Sequence, residues 1–136
     1  MTEEIYREKY EQLQLLDQQI QHTQQQLERI DQQIAKLSEL KRNLDQIKKS
    51  NGDEELFIPV GPGIFVRAQL QKSDSVLLNV GADVCVEKSF DETKTYIDSQ
   101  IKDITSYRAQ AIQLLEKLYI QAEGLEKEAG QMVGHV

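Results

Sequence analysis

Apolar residues recur at alternating steps of three and four along two long stretches, one from about Glu4 to Lys49 and one from about Ser89 to Val133. In the first, this seam falls on Tyr6, Lys9, Leu13, Leu16, Ile20, Thr23, Leu27, Ile30, Ile34, Leu37, Lys41 and Leu44, nine of the twelve being apolar. In the second it falls on Phe90, Lys94, Ile97, Ile101, Ile104, Arg108, Ala111, Leu115, Leu118, Ala122, Leu125, Ala129 and Met132. Two seam residues per heptad, with Gln, Glu, Asp, Lys and Arg between them, specify a coiled coil. The apolar stripe of a helix on a globule is wider. Ser89-Phe90-Asp91-Glu92 predicts a capping box at the start of the second helix. Asn51-Gly52 predicts the stop of the first, with glycine in a left-handed cap. Leu40 and Ile47 fall off the repeat and predict a three-residue slip of register near the centre of the chain.

The two stretches flank about 35 residues of different character. Runs at Leu56–Val60, Ile64–Leu70, Ser75–Val80 and Val84–Lys88 alternate like strands, and Gly61-Pro62-Gly63, Lys72-Ser73-Asp74 and Gly81-Ala82-Asp83 punctuate them as turns. The pattern predicts an α+β chain in which a long helix goes out, four short strands form two hairpins, and a second helix returns antiparallel to the first. Residues 1–136 are read as a single domain, with a helical arm at 4–49, a β segment at 55–88 and a second arm at 89–133. If the arms pair, facing seam residues should have numbers adding to a constant. A constant of 138 sets Leu13 against Leu125, Ile20 against Leu118, Leu27 against Ala111 and Leu37 against Ile101. Shifts by a whole heptad match in kind as well.

A segment of about 35 residues is too short to build a sufficient core alone, and its open sheet edges are templates for pairing with other chains. The strand residues Phe57, Ile58, Ile64, Phe65, Val66, Val76, Leu77, Leu78, Val80, Val84 and Val86 are therefore read as subunit-assembly residues, with strands of several subunits joining into a shared barrel.

Charge narrows the functional classes. There are 23 acidic against 16 basic residues, a formal net charge of −7, which argues against a nucleic-acid partner because phosphate neutralisation needs a basic stripe. No apolar run approaches the ~18 residues of a membrane span, and the acidic, polar start Met1-Thr-Glu-Glu is unlike a signal peptide. A cytoplasmic setting is the resulting expectation. Cys85 is the only cysteine. No catalytic constellation, metal-ligand spacing or cofactor motif is apparent: His22 falls on an outward position, His135 lies near the chain end, and Gly61-Pro62-Gly63 reads as a turn. The eight glutamines between Gln12 and Gln26 fall around Leu13, Leu16 and Ile20, so they read as a solvated helix face. Lys41, Lys94 and Arg108 interrupt the seam, which points to snorkelling or register selection.

The central run Leu56-Phe57-Ile58-Pro59-Val60-Gly61-Pro62-Gly63-Ile64-Phe65-Val66-Arg67-Ala68, followed by Leu77-Leu78-Asn79-Val80-Gly81-Ala82-Asp83-Val84-Cys85-Val86-Glu87-Lys88 between two coiled-coil arms, resembles the alpha-type subunits of the prefoldin family. Its plain architecture is closest to archaeal members. Two hairpins suit the alpha type. The resemblance covers essentially the whole chain. It implies a hexameric, ATP-independent chaperone of two alpha with four beta-type subunits that captures unfolded client proteins and delivers them to a group II chaperonin. It further implies client capture at the ends of the coiled coils. There the chain offers Ile5, Tyr6, Tyr10 and Leu13 from one terminus and Leu125, Met132 and Val133 from the other. Fraying from about Leu125 onward, aided by Gly124, Gly130 and Gly134, would free them from the seam. The rival reading is a structural coiled-coil oligomer or filament subunit that binds no client.

Overall fold

A computed structural model describes the backbone of residues 2–134 and the side chains of residues 3–131. The side chains of Met132 and Val133, and all of His135, lie outside the described residues. The elements run α1 (Thr2–Lys49), β1 (Glu55–Gly61), β2 (Ile64–Gln69), β3 (Ser75–Gly81), β4 (Val84–Ser89) and α2 (Phe90–Gly134). Each expected strand is present, with ends shifted by no more than one residue. The α+β class and the pairing of two helices with two antiparallel hairpins hold.

The chain divides into two compact units, residues 1–34 with 102–136, and residues 35–101. In the first, Ile20, Leu118 and Ala122 are buried, and Leu13, Leu16 and Leu115 pack against them. In the second, Leu44, Phe90 and Ile97 form the core with Leu37, Val76 and Ile101 around it. Among the described residues every seam position except the exposed Tyr6 is buried or half-buried, and a few positions beside the seam, such as Thr93 and Ile112, share that cover.

The expected slip does not occur. Leu44 is buried on the unshifted repeat, while Leu40 and Ile47 stand exposed beside the seam. A three-residue slip would have carried the seam through Leu40, Leu44 and Ile47 and expelled Lys41. Leu44, which sits against Phe90 and Ile97, fits both repeats, so the exposure of Leu40 and Ile47 and the half-burial of Lys41 decide against it. The cap of α2 is half of the expected box. Ser89 Oγ accepts from the Glu92 amide at 3.1 Å, whereas the Glu92 carboxylate turns to Lys88 Nζ at 3.7 Å. α1 ends at Lys49, and Gly52 beyond it takes φ +88°. A Cβ there would lie 3.1 Å from the Lys72 backbone nitrogen, so close approach adds to the backbone requirement for glycine.

The two hairpins are copies of one unit offset by 20 residues. Glu55 pairs with Gln69 where Ser75 pairs with Ser89, Phe57 with Arg67 where Leu77 pairs with Glu87, and Gly61 with Ile64 where Gly81 pairs with Val84. Each carries its register shift at the equivalent valine, Val60 and Val80. The turns differ. Pro62-Gly63, with Gly63 at φ +72°, suits a type II turn, whereas Ala82 at φ +51° and Asp83 at φ +60° suit type I′. Ala82 lacks the short polar side chain that eases left-handed backbone, and its Cβ costs about 1 kcal/mol there. Ala82→Gly is expected to raise the stability of the second hairpin by about 0.5–1 kcal/mol. Amide hydrogen exchange across β3 and β4 checks this, with slower exchange expected.

Candidate functional site

Four cations sit in the apolar seam, and each finds an acidic residue on the opposite helix. In the first unit Lys9 Nζ meets Glu128 at 2.8 Å and Arg108 Nε meets Asp31 at 2.7 Å. In the second Lys41 Nζ meets Asp98 at 2.5 Å and Lys94 Nζ meets Asp45 at 2.7 Å. With facing numbers adding to 138, these cations lie opposite Ala129, Ile30, Ile97 and Leu44, and every acidic partner is the immediate chain neighbour of that facing residue. Each ammonium or guanidinium thus leans out of the seam by one position, its stem covering apolar surface while its head reaches a carboxylate at the flank. A heptad shift would set Arg108 beside Ser38 or Gln24 and Lys94 beside Ser38 or Gly52. The cations therefore break the degeneracy that a purely apolar repeat leaves. Exposed pairs of this kind add about 0–1 kcal/mol each, so their contribution is to register more than to stability.

The electrostatics agree. A hydrogen bond from Lys94 holds the Asp45 carboxyl below its ordinary value, and the same bond holds Lys94 above its own. Lys48 does likewise for Asp91. A carboxyl with a lowered folded pKa contributes fully above its unfolded pKa and loses that contribution as pH falls through the folded value. A lysine with a raised pKa contributes fully below its unfolded pKa and loses it as pH rises through the folded value. These pairs therefore hold across the neutral range and fail only in strong acid or strong base. With Cys85 replaced by serine, cysteines at Leu27 and Ala111 are expected to bridge on oxidation, while pairs joining Leu27 to Ile104 or Leu118 are not. A Lys41→Met, Lys94→Met chain is expected to melt close to the parent, yet to give some of the shifted bridges. Bridging confined to Leu27–Ala111 in that variant would refute register selection.

The assembly residues read from the sequence lie on the hairpins. Phe57, Ile58, Ile64, Phe65, Val66, Leu77, Val80 and Val84 are exposed. Val76, Leu78 and Val86 are half-buried, and Val76 reaches the core around Phe90. Each sheet has two strands only, so all four strands present open edges. A two-stranded hairpin with apolar side chains on both faces is at best marginal in water, and this amount of exposed apolar surface marks an interaction site.

The residues read as client contacts separate in the structure. Ile5, Tyr6 and Tyr10 are exposed. Leu13 and Leu125 are half-buried in the seam, Leu13 against the Ile20 cluster. Beside Leu125 a groove of ≈ 380 Å³ is lined by Leu15, Leu16 and Gly124, with Gln12, Gln121 and Glu128 at its rim. Leu15, Tyr107, Leu114, Tyr119 and Ile120 are further exposed apolar residues that the sequence reading did not single out. The available signal was simple, since each is a large apolar residue outside the seam. Tyr107 and Leu114 line a second groove of ≈ 580 Å³ over Ile30, Ile104 and Ala111, in which Arg29 is the one charged residue. Among the described residues no group of His, Cys, Asp and Glu could hold a metal ion, and no described helix is long and apolar enough to cross a membrane.

Comparison with known proteins gives a consistent family. Residues 16–135 match the model of the prefoldin subunit family. The chain is 41% identical over 69 residues to a prefoldin subunit alpha of Methanopyrus kandleri, a match covering 51% of this chain and 44% of that relative. It is 34% identical over 82 residues to prefoldin subunit alpha 1 of Methanocaldococcus jannaschii, covering 60% of this chain and 57% of the relative. The chain thus aligns with about half the length of these curated relatives. A solved structure described as filamentous PFD from Methanocaldococcus jannaschii superimposes with a TM-score of 0.78 at 27% identity, covering 88% of this chain and 98% of that one.

Proposed function

The chain belongs to the prefoldin family of chaperone subunits, and from that premise we propose that it is an alpha-type subunit of a hexameric, ATP-independent cytoplasmic chaperone, two such subunits assembling with four of beta type. The hairpins join the subunits in a shared barrel, residues 1–136 acting as one domain. The ends of the paired helices capture unfolded proteins, which pass to a group II chaperonin. The observation that carries this is the placement of large apolar side chains in exposed positions: Phe57, Phe65 and Leu77 on the hairpins, and Ile5, Tyr6 and Tyr10 near the helix ends. The first set fits permanent burial between subunits. The second fits weak, reversible contact with an exposed apolar segment, made effective by several arms acting together. Met132 and Val133 join the second set in this proposal.

Coexpression with a beta-type subunit, mass measurement of the complex, and an aggregation assay with a denatured protein in the absence of ATP test this reading. A hexamer that suppresses aggregation is expected. A hexamer that leaves aggregation unchanged would reduce the protein to an assembly subunit. A second reading, a self-assembling filament subunit, is favoured by the likeness to a structure described as filamentous. Electron microscopy of the purified chain alone separates the two, with filaments expected only under this second reading.

A further inference from the structure

An asparagine loses its amide without an enzyme when the backbone nitrogen of the next residue can reach its side-chain carbonyl carbon. The chain has three asparagines, in three different settings. Asn43 lies inside α1 and is followed by Leu44, whose amide belongs to the helical ladder. Asn79 lies in β3 before the β-branched Val80, and its Oδ1 accepts from the Gly81 amide at 2.9 Å. Asn51 alone stands outside every helix and strand, just beyond the end of α1 at Lys49, and it is exposed. It alone precedes a glycine, whose nitrogen no Cβ shields. That nitrogen is lightly held. The Gly52 N–H donates to Ser50 Oγ at 3.3 Å, a long bond for an amide donor. Ser50 itself is buried, and its amide donates to the Ile47 carbonyl at 3.1 Å, so the acceptor is fixed in place. The Gly52 nitrogen is therefore released by a local opening around Asn51 that leaves the helix behind it intact.

We propose that Asn51 is a site of intramolecular deamidation, with the Ser50 hydroxyl as the brake on its rate. The Gly52 nitrogen gives its proton to solvent hydroxide and bonds to Asn51 Cγ. The Cγ–Nδ2 bond breaks, and Nδ2 leaves as ammonia with a proton taken from water. The product is a five-membered succinimide, which water opens at either carbonyl. Opening at the side-chain carbonyl leaves aspartate. Opening at the main-chain carbonyl leaves isoaspartate, in which the backbone runs through the former side chain and is one carbon longer. Both products set a new carboxylate just past the C-terminal end of α1, where the helix dipole disfavours negative charge. Isoaspartate also displaces Gly52, and the surroundings leave little room for that. A Cβ on Gly52 would lie 3.1 Å from both the Cβ and the backbone nitrogen of Lys72. The strain falls on the connection from α1 to β1, which the Leu70 amide ties down by donating to the Glu54 carbonyl at 3.4 Å.

Incubation of the folded full chain at mildly alkaline pH tests this, read by peptide mapping in a mass spectrometer and by enzymatic methylation of isoaspartate. Conversion of amide to acid is expected at Asn51 well before Asn43 or Asn79, with isoaspartate among the products and a rate that rises with pH. Asn51→Ser is expected to abolish it, and Ser50→Ala to speed it several-fold. Conversion at Asn51 no faster than at the other two asparagines overturns the proposal. So does a product that is aspartate alone, because direct hydrolysis passes through no succinimide. A Ser50→Ala chain that reacts at the parental rate, or that reacts faster only together with faster amide exchange throughout α1 and β1, overturns the role of Ser50. The isoaspartyl chain, separated by chromatography, is expected to exchange the Leu70 amide faster than Asn51→Asp, which carries the charge without the added carbon. Equal exchange in the two overturns the strain on the connection.

Discussion

Phe65→Asp is expected to leave both helices intact and to abolish assembly, reducing the protein from a complex to a species near 15.7 kDa. In the single chain Phe65 is more exposed than buried, so the substitution removes little internal contact and far-ultraviolet circular dichroism should hardly change. In an assembly that covers the hairpin, two losses add. The phenyl ring forfeits about 1.5–3 kcal/mol of apolar burial, and a carboxylate must be buried or the interface opened, which costs several kcal/mol more. Together they weaken association by roughly a thousandfold or beyond. Size-exclusion chromatography with light scattering gives the mass. A variant that elutes at parental mass would remove Phe65 from the interface. Ser73→Asp, in the exposed segment between the hairpins, is the control expected to assemble normally.

Replacing Ile5, Tyr6 and Tyr10 together with serine is expected to cut suppression of client aggregation several-fold at equal concentration, with the mass of the complex unchanged. All three are exposed, so their loss leaves the buried cluster of Ile20, Leu118 and Ala122 in place and melting should shift by less than about 1 kcal/mol. Each apolar contact with a client contributes on the order of 1–2 kcal/mol. Because several arms bind one client, the loss compounds through avidity. Light scattering of a chemically denatured protein on dilution measures the effect. The grooves supply the contrasting experiment. If Tyr107→Ser with Leu114→Ser removes suppression while the triple variant keeps it, capture occurs along the paired helices at the groove over Ile30 and Ala111, not at their ends.

The heptad pattern was legible because a coiled coil buries its residues by sequence position alone. From Lys9 through Ala129 every seam residue is at least half-buried, and this follows from helical periodicity without reference to the rest of the molecule. The strands and their turns were legible for a similar reason, since glycine, proline and aspartate mark backbone conformations that few residues adopt. The slip inferred from Leu40 and Ile47 shows the limit of that reasoning. An apolar residue announces that it needs cover, not that the same helix pair supplies it. Tyr107 and Leu114 show the converse, as off-seam apolar residues that form a groove only because two helices set them beside Ile30 and Ala111.

By itself the sequence determined the α+β class, the two helices, the four strands and the seam, because each depends on local periodicity and on residues near in the chain. Only the tertiary structure decided where the seam cations go. Asp31, Asp45, Asp98 and Glu128 are distant in sequence from the cations they meet, and one heptad register is distinguishable from the next only when both helices are in place. It also decided that the hairpins stand as two equivalent sheets with uncovered faces. Exposure belongs to a surface made by the whole fold, and the 20-residue repeat becomes an equivalence of strand pairs once the strand register is known.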